Sequence, residues 1–514
     1  MQLIKNKLPY IGICLALLPL MFFRDYTPDN ELRYLSIADE ALRNGTFFTF
    51  TNHGIIYADK PPLYFWFIMF AKYLLGKHYM LLLSMMSLIP ALIIVHTMDK
   101  WIKYTNEEIR LTGGLMLLSC GLFLGMTVIL RMDMLMCMFI TLALRSFYEM
   151  LTVRSNSKKH SYLFPIYIFL AIFSKGPIGL LIPLFSITTF LVFTKRWRSI
   201  SKYWGIKTWG ILLVGCTIWF ICVYVEGGAS YLNNLLFHQT VDRAVNSFHH
   251  KQPPYYYLIS VWYSMLPWSI LIIGSIITAI YRKKIGLELQ RFFLTIIATT
   301  LIILSLISSK IDVYLLPIFP FAVYLTISLS EIKWNHWLAI SVAIPSYVFI
   351  LTTPTLFYLA HQTDTHYMGN LLFYIAACVL SVSGVFSLYT LYYKKLFLKA
   401  IREIVFGLFC AIFIGSWAMP KINSKLGYGE LCRKAIEIGN EQHLSNYAVY
   451  DISRPENMDV YLQRNVHVTT LDDINSKKIQ NTILMIPTKS IKLLNNEIIK
   501  NRIYTVGNYS IIKI

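Results

Sequence analysis

Four acidic and five basic residues lie in segments that we predict to share one membrane face, where charged side chains are costly unless they are solvated or paired. The acidic residues are Asp29, Glu31, Asp59 and Asp133. The basic residues are Arg33, Lys60, Lys175, Arg243 and Lys310. Cations stabilise the negative charge that develops on a departing phosphate, while a carboxylate accepts a proton or holds a metal ion. The combination predicts transfer of a group away from an anionic phosphate.

The stretch from Tyr57 to Phe67 reads YADKPPLYFWF and places Lys60 directly before two prolines and an aromatic run. Prolines suit the first turn of a helix, so the run is predicted to form a helix that begins at the prolines. Because apolar side chains follow the lysine at lipid depth, we expect the phosphate to arrive on a membrane-borne lipid carrier. Such a donor requires no nucleotide cofactor.

The composition is that of a protein that crosses a membrane many times. Of its 514 residues, 56% are hydrophobic and 14% are charged, and the mean hydropathy is +0.53. The net charge of +20 comes mostly from lysines and arginines in short loops. This distribution is typical of membrane topology, so we predict no nucleic-acid partner. The eight cysteines lack CxxC spacing, which argues against a disulfide framework or a thiolate metal site.

Apolar runs of near-spanning length recur from Leu8 to Ala418, among them the runs at 111–130, 256–281 and 311–330. The run at 61–76 decides how many of them cross the membrane. If this run does not cross, the densely basic loops lie on the same side as the N-terminal lysines, as the positive-inside rule requires. We therefore predict about 13 transmembrane helices with the N-terminus in the cytoplasm and the C-terminus outside. The first run, Leu8–Phe23, lacks a small-residue cleavage site and is predicted to be a retained helix.

The first outer loop, residues 24–78, is predicted to contain two interfacial helices. Glu31–Asn44 has apolar residues at helical spacing opposite charged ones, and Gly45 supplies a stop signal. Pro61–Gly76 is predicted to lie along the outer face or to dip into it.

A change in composition marks a second domain. The transmembrane domain is predicted to cover residues 1–419. After Pro420, charges of both signs alternate with short strand-like runs such as NYAVYD, NVHVTT, NTILMIP and YSIIKI. This pattern predicts a small soluble α/β domain of about 95 residues over 420–514, placed outside by the odd number of spans.

Six motifs occur in order between about residue 25 and residue 320, all on the predicted outer face. They are DNELRYLSIADEALRNG, YADKPPLYFW, RMDM, SKGPIGLLIP, HHKQPPYYY and SKIDVYLLP. Together they resemble the polyprenyl-phosphate-dependent GT-C glycosyltransferases of family thirty-nine, in particular the bacterial aminoarabinose transferases that decorate lipid A. The resemblance implies an α-helical polytopic membrane protein of GT-C type. It also implies an enzyme that moves a sugar from undecaprenyl phosphate to lipid A or a related envelope glycolipid.

The resemblance implies roles for individual residues. The donor phosphate is expected to bind Arg33, Lys60, Lys175, Arg243, Lys310 and Tyr314. The implied catalytic positions are Asp29, Asn30, Glu31 and Asp133. A divalent metal ion, either zinc or magnesium or manganese, is implied at Asp59 and His250, although Asp59 stands where the aminoarabinose enzymes usually have glutamate.

One position departs from the family pattern. Aligned on Arg33, the family's first-loop aspartate falls on Asn30, which cannot act as a base. Either Asp29 or Glu31 takes over after a small shift, or no base is needed because the acceptor is already an anionic phosphate.

Two other functions remain open at this stage. The same fold serves enzymes that glycosylate protein Ser/Thr or a growing polysaccharide, but these hydroxyl acceptors require a base, and Asn30 argues mildly against them. A transporter or flippase would place ionisable groups near the bilayer midplane. The predicted location is the bacterial inner membrane, with the C-terminal domain in the periplasm.

Overall fold

The computed structural model describes residues 8–153, 157–237, 251–329, 336–495, 498 and 502–514. Helices make up nearly all of the chain before the C-terminal sheet. In chain order they are α1 (Leu8–Phe23), α2 (Arg33–Asn44), α3 (Leu63–Leu75), α4 (Met80–Trp101), α5 (Glu107–Ser119), α6 (Gly121–Val128), α7 (Asp133–Thr152), α8 (Ser157–Lys175), α9 (Ile178–Phe193), α10 (Ile200–Tyr203), α11 (Ile206–Asn233), α12 (Tyr256–Ser264), α13 (Ser269–Tyr281), α14 (Glu288–Leu306), α15 (Phe319–Leu329), α16 (His336–Ala360), α17 (Leu371–Tyr392) and α18 (Phe397–Ser416).

Seven of the described helices are long and apolar enough to cross a membrane. The number of spans rises to nine if each of two bent helix pairs crosses as a single span. The protein is therefore a multi-pass α-helical membrane protein, and the predicted fold class is confirmed. The figure of about 13 spans stays a prediction.

The first loop bends away from α1. The axis turns by 74° between α1 and the segment Pro28–Asn44, which starts with a π-helical turn at Pro28–Leu32 and continues as α2. Gly45 ends α2 in the left-handed conformation with φ of 68°, which glycine adopts without steric cost. The apolar side of α2 is buried within the protein against α3.

Helix α3 is the element that decided the predicted span count. It has 13 residues and therefore reaches about 20 Å, which is less than the thickness of about 30 Å of a bilayer's hydrocarbon core. Tyr64 and Phe65 are buried and contact Tyr34 of α2 edge to face. Phe67 and Phe70 lie on the exposed side of the helix.

Three predicted apolar runs are interrupted. The run at 111–130 divides into α5 and α6, which meet at 72°, and the break frees the Gly121 amide to donate to the Leu266 carbonyl at 2.6 Å. The run at 256–281 divides into α12 and α13 around Pro267, which lacks an amide hydrogen. The run at 311–330 opens as a 3-10 helix, Asp312–Ile318, before α15. Local hydropathy does not reveal such breaks.

The C-terminal part combines short helices with a mixed sheet. Its helices are α19 (Met419–Leu426), α20 (Gly429–Glu441), α21 (Asp459–Leu462) and α22 (Leu471–Asn475). The chain's strands are β1 (Thr51–Asn52), β2 (Ile55–Ile56), β3 (Asn446–Val449), β4 (His467–Val468), β5 (Thr482–Pro487), β6 (Ile503–Val506) and β7 (Tyr509–Lys513).

The five-stranded sheet has the order β4-β3-β5-β7-β6. Strand β3 runs parallel to β4 and β5, while β7 is antiparallel to β5 and β6. Every residue of the central strand β5 is buried. The four strand-like runs of the sequence correspond to β3, β4, β5 and β7. Sequence reasoning missed the edge strand β6, whose residues are only partly buried and carry little apolar alternation.

Candidate active site

Asp133 is the centre of a buried ionic cluster. It is the first residue of α7 and is 1% exposed, a position where the helix dipole favours an acid. Arg131 donates through Nε to Asp133 Oδ2 at 3.1 Å, and Lys175 Nζ forms an ion pair with Oδ1. Both carboxylate oxygens are therefore held by cations.

Lys175 reaches this cluster from the last residue of α8. Gly176, with φ of 100°, and Pro177 end the helix there. The Lys175 ammonium lies 4.4 Å from the centre of the Tyr314 ring, which the 3-10 helix Asp312–Ile318 presents. The positive charges of Arg131 and Lys60 are close enough to act on Lys175. Four segments distant in sequence thus meet at one point.

Arg33 brings the first loop to the same place. Its guanidinium lies 6.0 Å from the Tyr34 ring and 5.8 Å from the Tyr57 ring, within the range of cation–π attraction. Its Nη2 donates to Asn30 Oδ1 at 3.2 Å. Arg33, Arg131 and Asp59 all act electrostatically on Tyr34, so Asp59 also borders the cluster.

Among the residues that the structure describes, the cluster carries more positive than negative charge. Its four cations are Arg33, Lys60, Arg131 and Lys175, and its two carboxylates are Asp59 and Asp133. Unbalanced positive charge in a mostly buried site is unfavourable unless an anion compensates it. The arrangement is therefore suited to binding a phosphate.

Glu31 is held in a structural network. Arg24 donates to both Glu31 oxygens at 2.7 and 2.6 Å, and Glu31 is fully buried. The amide of Thr27 donates to Oε2 at 2.8 Å, and the amide of Leu130 donates to Oε1 at 2.7 Å. Glu31 thereby joins the first loop to the residue that precedes Arg131.

Two other predicted residues have contacts with groups other than Asp133. Asp29 is exposed, and its charge acts on Tyr428 at the start of the C-terminal part. Lys310 is 3% exposed, and its ammonium donates to the carbonyls of Gln252 at 3.1 Å and Ile307 at 2.5 Å. Burial lowers the pKa of Lys310. Its contacts fasten the segment before α12 to the end of α14.

Arg243 and His250 lie outside the described residues, so their predicted roles stay predictions. Within the described ranges, no three His, Cys, Asp or Glu side chains are grouped so that they can hold a metal ion. Asp59 is described, but its predicted metal partner His250 is not. The metal site thus also stays a prediction.

A known family matches the segment that carries all but one of the charged residues of the cluster. A family model described as dolichyl-phosphate-mannose-protein mannosyltransferase matches residues 59–224. This segment begins at Asp59 and contains Lys60, Arg131, Asp133 and Lys175.

Two curated relatives carry the same name, undecaprenyl phosphate-alpha-4-amino-4-deoxy-L-arabinose arabinosyl transferase. The protein from Pseudomonas aeruginosa is 23% identical over 307 residues, which cover 59% of this chain and 55% of that protein. The protein numbered 1 from Pseudomonas fluorescens is 20% identical over 464 residues, which cover 86% of this chain and 79% of that protein. The chain spans 55% to 60% of the length of the first three curated relatives that it matches.

A solved structure matches almost the whole chain. The crystal structure of ArnT from Cupriavidus metallidurans bound to undecaprenyl phosphate superposes with a TM-score of 0.75 at 16% identity, over 99% of this chain and 98% of that one. The chain has the ArnT fold. The family match, the named relatives and this shared fold together confirm the predicted resemblance to polyprenyl-phosphate-dependent GT-C glycosyltransferases.

Within this ArnT fold, sequence reasoning left three contributing residues out of the candidate site. Arg131 holds Asp133, Tyr57 lies against Arg33, and Arg24 neutralises Glu31. The signal for Arg131 was its position two residues before Asp133 in the motif RMDM. Tyr57 and Arg24 gave no such signal, because their partners are distant in sequence or separated by a loop.

Proposed function

We propose that the protein is a membrane glycosyltransferase that moves a sugar from undecaprenyl phosphate to lipid A or a related envelope glycolipid. The observation that carries the proposal is the cationic cluster around Asp133, which lies inside a fold shared with a structure bound to undecaprenyl phosphate. The names of the curated relatives support the same donor.

The reaction places new negative charge where the cations are. The bond between the sugar's anomeric carbon and a phosphate oxygen breaks, and its electron pair stays on that oxygen. An acceptor oxygen forms the new bond to the anomeric carbon. The donor is a phosphodiester with one negative charge, whereas the product is a phosphate monoester with a charge of about −2. Lys60, Arg131 and Lys175 therefore stabilise the departing phosphate more strongly than the bound donor, and this difference accelerates the reaction.

The contacts of Asn30, Asp133 and Glu31 favour a reaction in which none of these three residues acts as a general base. Asn30 has no basic group, and its carbonyl accepts from Arg33. Both oxygens of Asp133 are held by cations, and those of Glu31 by Arg24 and backbone amides. An acceptor phosphate that is already ionised needs no proton removed. We therefore assign Asp133 to positioning the cations and favour a phosphate oxygen of the acceptor as the nucleophile.

A lipid-borne donor fits the surroundings of Lys60. This lysine directly precedes the prolines that open α3. The exposed side of α3 carries Phe67 and Phe70, which are 45% and 62% exposed. A polyprenyl chain lying on this apolar side would bring its phosphate to Lys60.

In the proposed orientation, the cluster and the C-terminal domain face the periplasm, and the N-terminus is in the cytoplasm of an inner membrane. Single cysteines placed at Lys478 in the C-terminal part and at Lys103 after α4 test this. A membrane-impermeant maleimide applied to cells with a permeabilised outer membrane is expected to label Lys478→Cys and not Lys103→Cys. The reverse pattern would overturn the orientation.

The function is tested by mass spectrometry of lipid A from cells that lack the gene and cells that carry Lys60→Ala. Both are expected to lose one sugar mass that wild-type cells have. Lys421→Ala, which removes an exposed lysine near the C-terminal part, is the matched control and should retain it. Unchanged lipid A in all strains would reject this acceptor and direct the search to glycoproteins and polysaccharide.

A second assay separates an enzyme from a transporter. Purified protein in detergent is incubated with an undecaprenyl-phosphate-linked sugar and lipid A. An enzyme forms product without a sealed membrane, whereas a transporter does not. If no product forms although the donor and the acceptor are both active, the proposal that the protein is a transferase is rejected.

A further inference from the structure

Asp312, the first residue of the 3-10 helix Asp312–Ile318, accepts two hydrogen bonds from α12. The hydroxyl of Tyr256 donates to Asp312 Oδ1 at 2.6 Å, and the hydroxyl of Tyr263 donates to the same oxygen at 2.7 Å. The two tyrosines are two helical turns apart and therefore lie on one face of α12. Hydrogen bonds to a carboxylate are about twice as strong as those between neutral groups, so Asp312 fastens the 3-10 helix to α12.

A second contact from α12 reaches the backbone of the same turn. The hydroxyl of the buried Tyr257 donates to the Ile311 carbonyl at 3.3 Å. The amide of Tyr314 donates to that carbonyl at 3.1 Å. Ile311 therefore links α12 to the backbone of Tyr314.

Tyr314 is the residue of this turn that reaches the ionic cluster. It follows Asp312 by two residues, which corresponds to about 4 Å along a 3-10 helix. Its ring centre lies 4.4 Å from the Lys175 ammonium, and Lys175 pairs with Asp133. A cation is attracted to an aromatic ring within about 6 Å of the ring centre. A shift of Asp312 that carries Tyr314 away would therefore remove a contact that holds Lys175.

The partners of Asp312 indicate that it acts by holding this turn in place. Among the described residues, its carboxylate bonds to phenols and not to a cation. Lys310 lies two residues before it, but the Lys310 ammonium donates to the carbonyls of Gln252 and Ile307. The contacts of Asp312 thus serve the junction between α12 and the 3-10 helix.

We propose that Asp312 is a positioning residue that keeps the Tyr314 ring against Lys175. The inference rests on the proposed transferase function and adds a residue to it. Lys175 is one of the cations that stabilise the departing phosphate after its bond to the sugar breaks. Asp312 acts on the reaction through this cation and needs no contact with either substrate.

Three variants and one control separate the contacts. Asp312→Ala removes the acceptor, whereas Asp312→Asn keeps a carbonyl oxygen that can accept from both phenols. The double variant Tyr256→Phe, Tyr263→Phe removes both donors and leaves the rings and the carboxylate. Tyr255→Phe is the matched control, because Tyr255 directly precedes α12 and is 59% exposed.

Kinetics of the purified full-length protein in detergent test the inference, with an undecaprenyl-phosphate-linked sugar and lipid A as substrates. We expect Asp312→Ala and the double variant to lower kcat by about tenfold to a hundredfold, since a misplacement of about 1 Å has effects of this size. The donor KM should change much less, because Lys175 stabilises the departing phosphate more than the bound donor. Asp312→Asn and the control should keep most of the wild-type kcat.

Binding of undecaprenyl phosphate gives a readout that needs no turnover. This lipid carries the same phosphate monoester, with a charge of about −2, that the reaction releases. Asp312→Ala should weaken its binding by about tenfold, whereas Asp312→Asn and Tyr255→Phe should bind it as the wild type does.

A double-mutant cycle tests whether Asp312 acts through Tyr314. Tyr314→Leu removes the ring, so adding Asp312→Ala to it should cause no further loss of kcat. Independent losses that multiply in the combined variant would overturn the inference. An equal loss of kcat in Asp312→Asn and Asp312→Ala would also overturn it, because the charge of Asp312 would then matter rather than its hydrogen bonds.

Melting temperatures separate this role from a purely structural one. Variants that melt earlier but keep the wild-type kcat and affinity for undecaprenyl phosphate would overturn the inference and leave the transferase proposal intact. A wild-type protein that transfers no sugar would reject the proposed function. The expected pattern of undecaprenyl phosphate binding in that protein would still support the positioning of Lys175 by Asp312.

Discussion

At the scale of single residues, the two buried acids of the site differ in their partners. Asp133 pairs with Arg131 and Lys175, which are themselves suited to bind phosphate. Glu31 pairs with Arg24 and with backbone amides. In the proposed reaction the first acid positions cations, whereas the second holds the loop to the transmembrane part.

We expect Asp133→Asn to lower both transfer activity and stability. Removing one partner of a buried ion pair costs about 3–5 kcal/mol, and misplaced phosphate-binding cations reduce kcat by about 10²-fold or more. The matched control is Asp29→Asn at an exposed position, which should change neither. Activity lost at an unchanged melting temperature, together with a shifted pH profile, would instead make Asp133 a base.

Glu31→Gln should lower the free energy of unfolding by about 3–5 kcal/mol, because it leaves the Arg24 charge buried and unpaired. Glu31 is fully buried and the Arg24 side chain is 8% exposed. The double variant Arg24→Met, Glu31→Gln should be more stable than Glu31→Gln alone. Thermal melts in detergent measure both. Additive losses in the double variant would contradict the pairing.

At the scale of elements, carboxylates hold the segment between α2 and α3 in place. Glu226 of α11 accepts from the amides of Phe47, Phe48 and Thr49 at 2.6, 2.6 and 3.0 Å. Glu40 of α2 accepts from the Thr51 hydroxyl and from two amides of the β1–β2 turn. This segment leads directly to Asp59 and Lys60, so its anchors position the candidate site.

The Glu40 anchor should weaken at acid pH. Burial alone raises the pKa of Glu40, but the hydrogen bonds from Thr51, Gly54 and His53 outweigh it, and the pKa falls below its ordinary value of 4.5. The unfolded state then binds protons more readily than the folded state. The stabilisation is present above pH 4.5 and is lost as the pH falls through the lowered pKa.

Hydrogen exchange of the amides at 51–56 measures this effect. Exchange corrected for its intrinsic pH dependence should speed up in the acid range for wild type. Glu40→Gln should show weaker protection and no such pH step. If the pH-dependent step in exchange persists in Glu40→Gln, a titrating group other than Glu40 causes it.

At the scale of the whole molecule, the C-terminal part is joined to the first loop. Asp25 accepts from the amides of Tyr26 at 2.8 Å and Gly429 at 2.7 Å, and from the Tyr461 hydroxyl. Ser36 of α2 donates to Asp459 Oδ2 at 3.0 Å. The sheet domain therefore contributes directly to the position of the loop that carries Arg33.

We expect Asp25→Ala to loosen this junction. Gly429 and Tyr461 would lose their acceptor, at a cost of about 1–3 kcal/mol for each buried donor left unsatisfied. Limited proteolysis should then release a C-terminal fragment faster than in wild type, and transfer activity should fall. Equal rates of cleavage in the two proteins would show that other contacts carry the junction.

Much of the site was predictable because its residues occur in short motifs at the ends of apolar runs. Asp133, Lys175, Arg33 and Tyr314 were predicted individually, and the structure brings them together. The Lys310 ammonium donates to backbone carbonyls in the structure, and its predicted role as a phosphate contact stays a prediction. A motif indicates that a side chain is present and not where it points.

The sequence alone determined the membrane class, the short helix α3, the C-terminal sheet and the resemblance to a glycosyltransferase family, because hydropathy, helix signals and motifs are local properties. Only the tertiary structure decided that Glu31 pairs with Arg24, that α5 and α6 separate at Cys120, and that Asp25 joins the first loop to the C-terminal part. Each of these also depends on a partner that is distant in sequence, namely the Leu130 amide for Glu31, the Leu266 carbonyl for the break at Cys120 and the Gly429 amide for Asp25. The free energy of a buried charge depends on such neighbours, and linear spacing does not encode them.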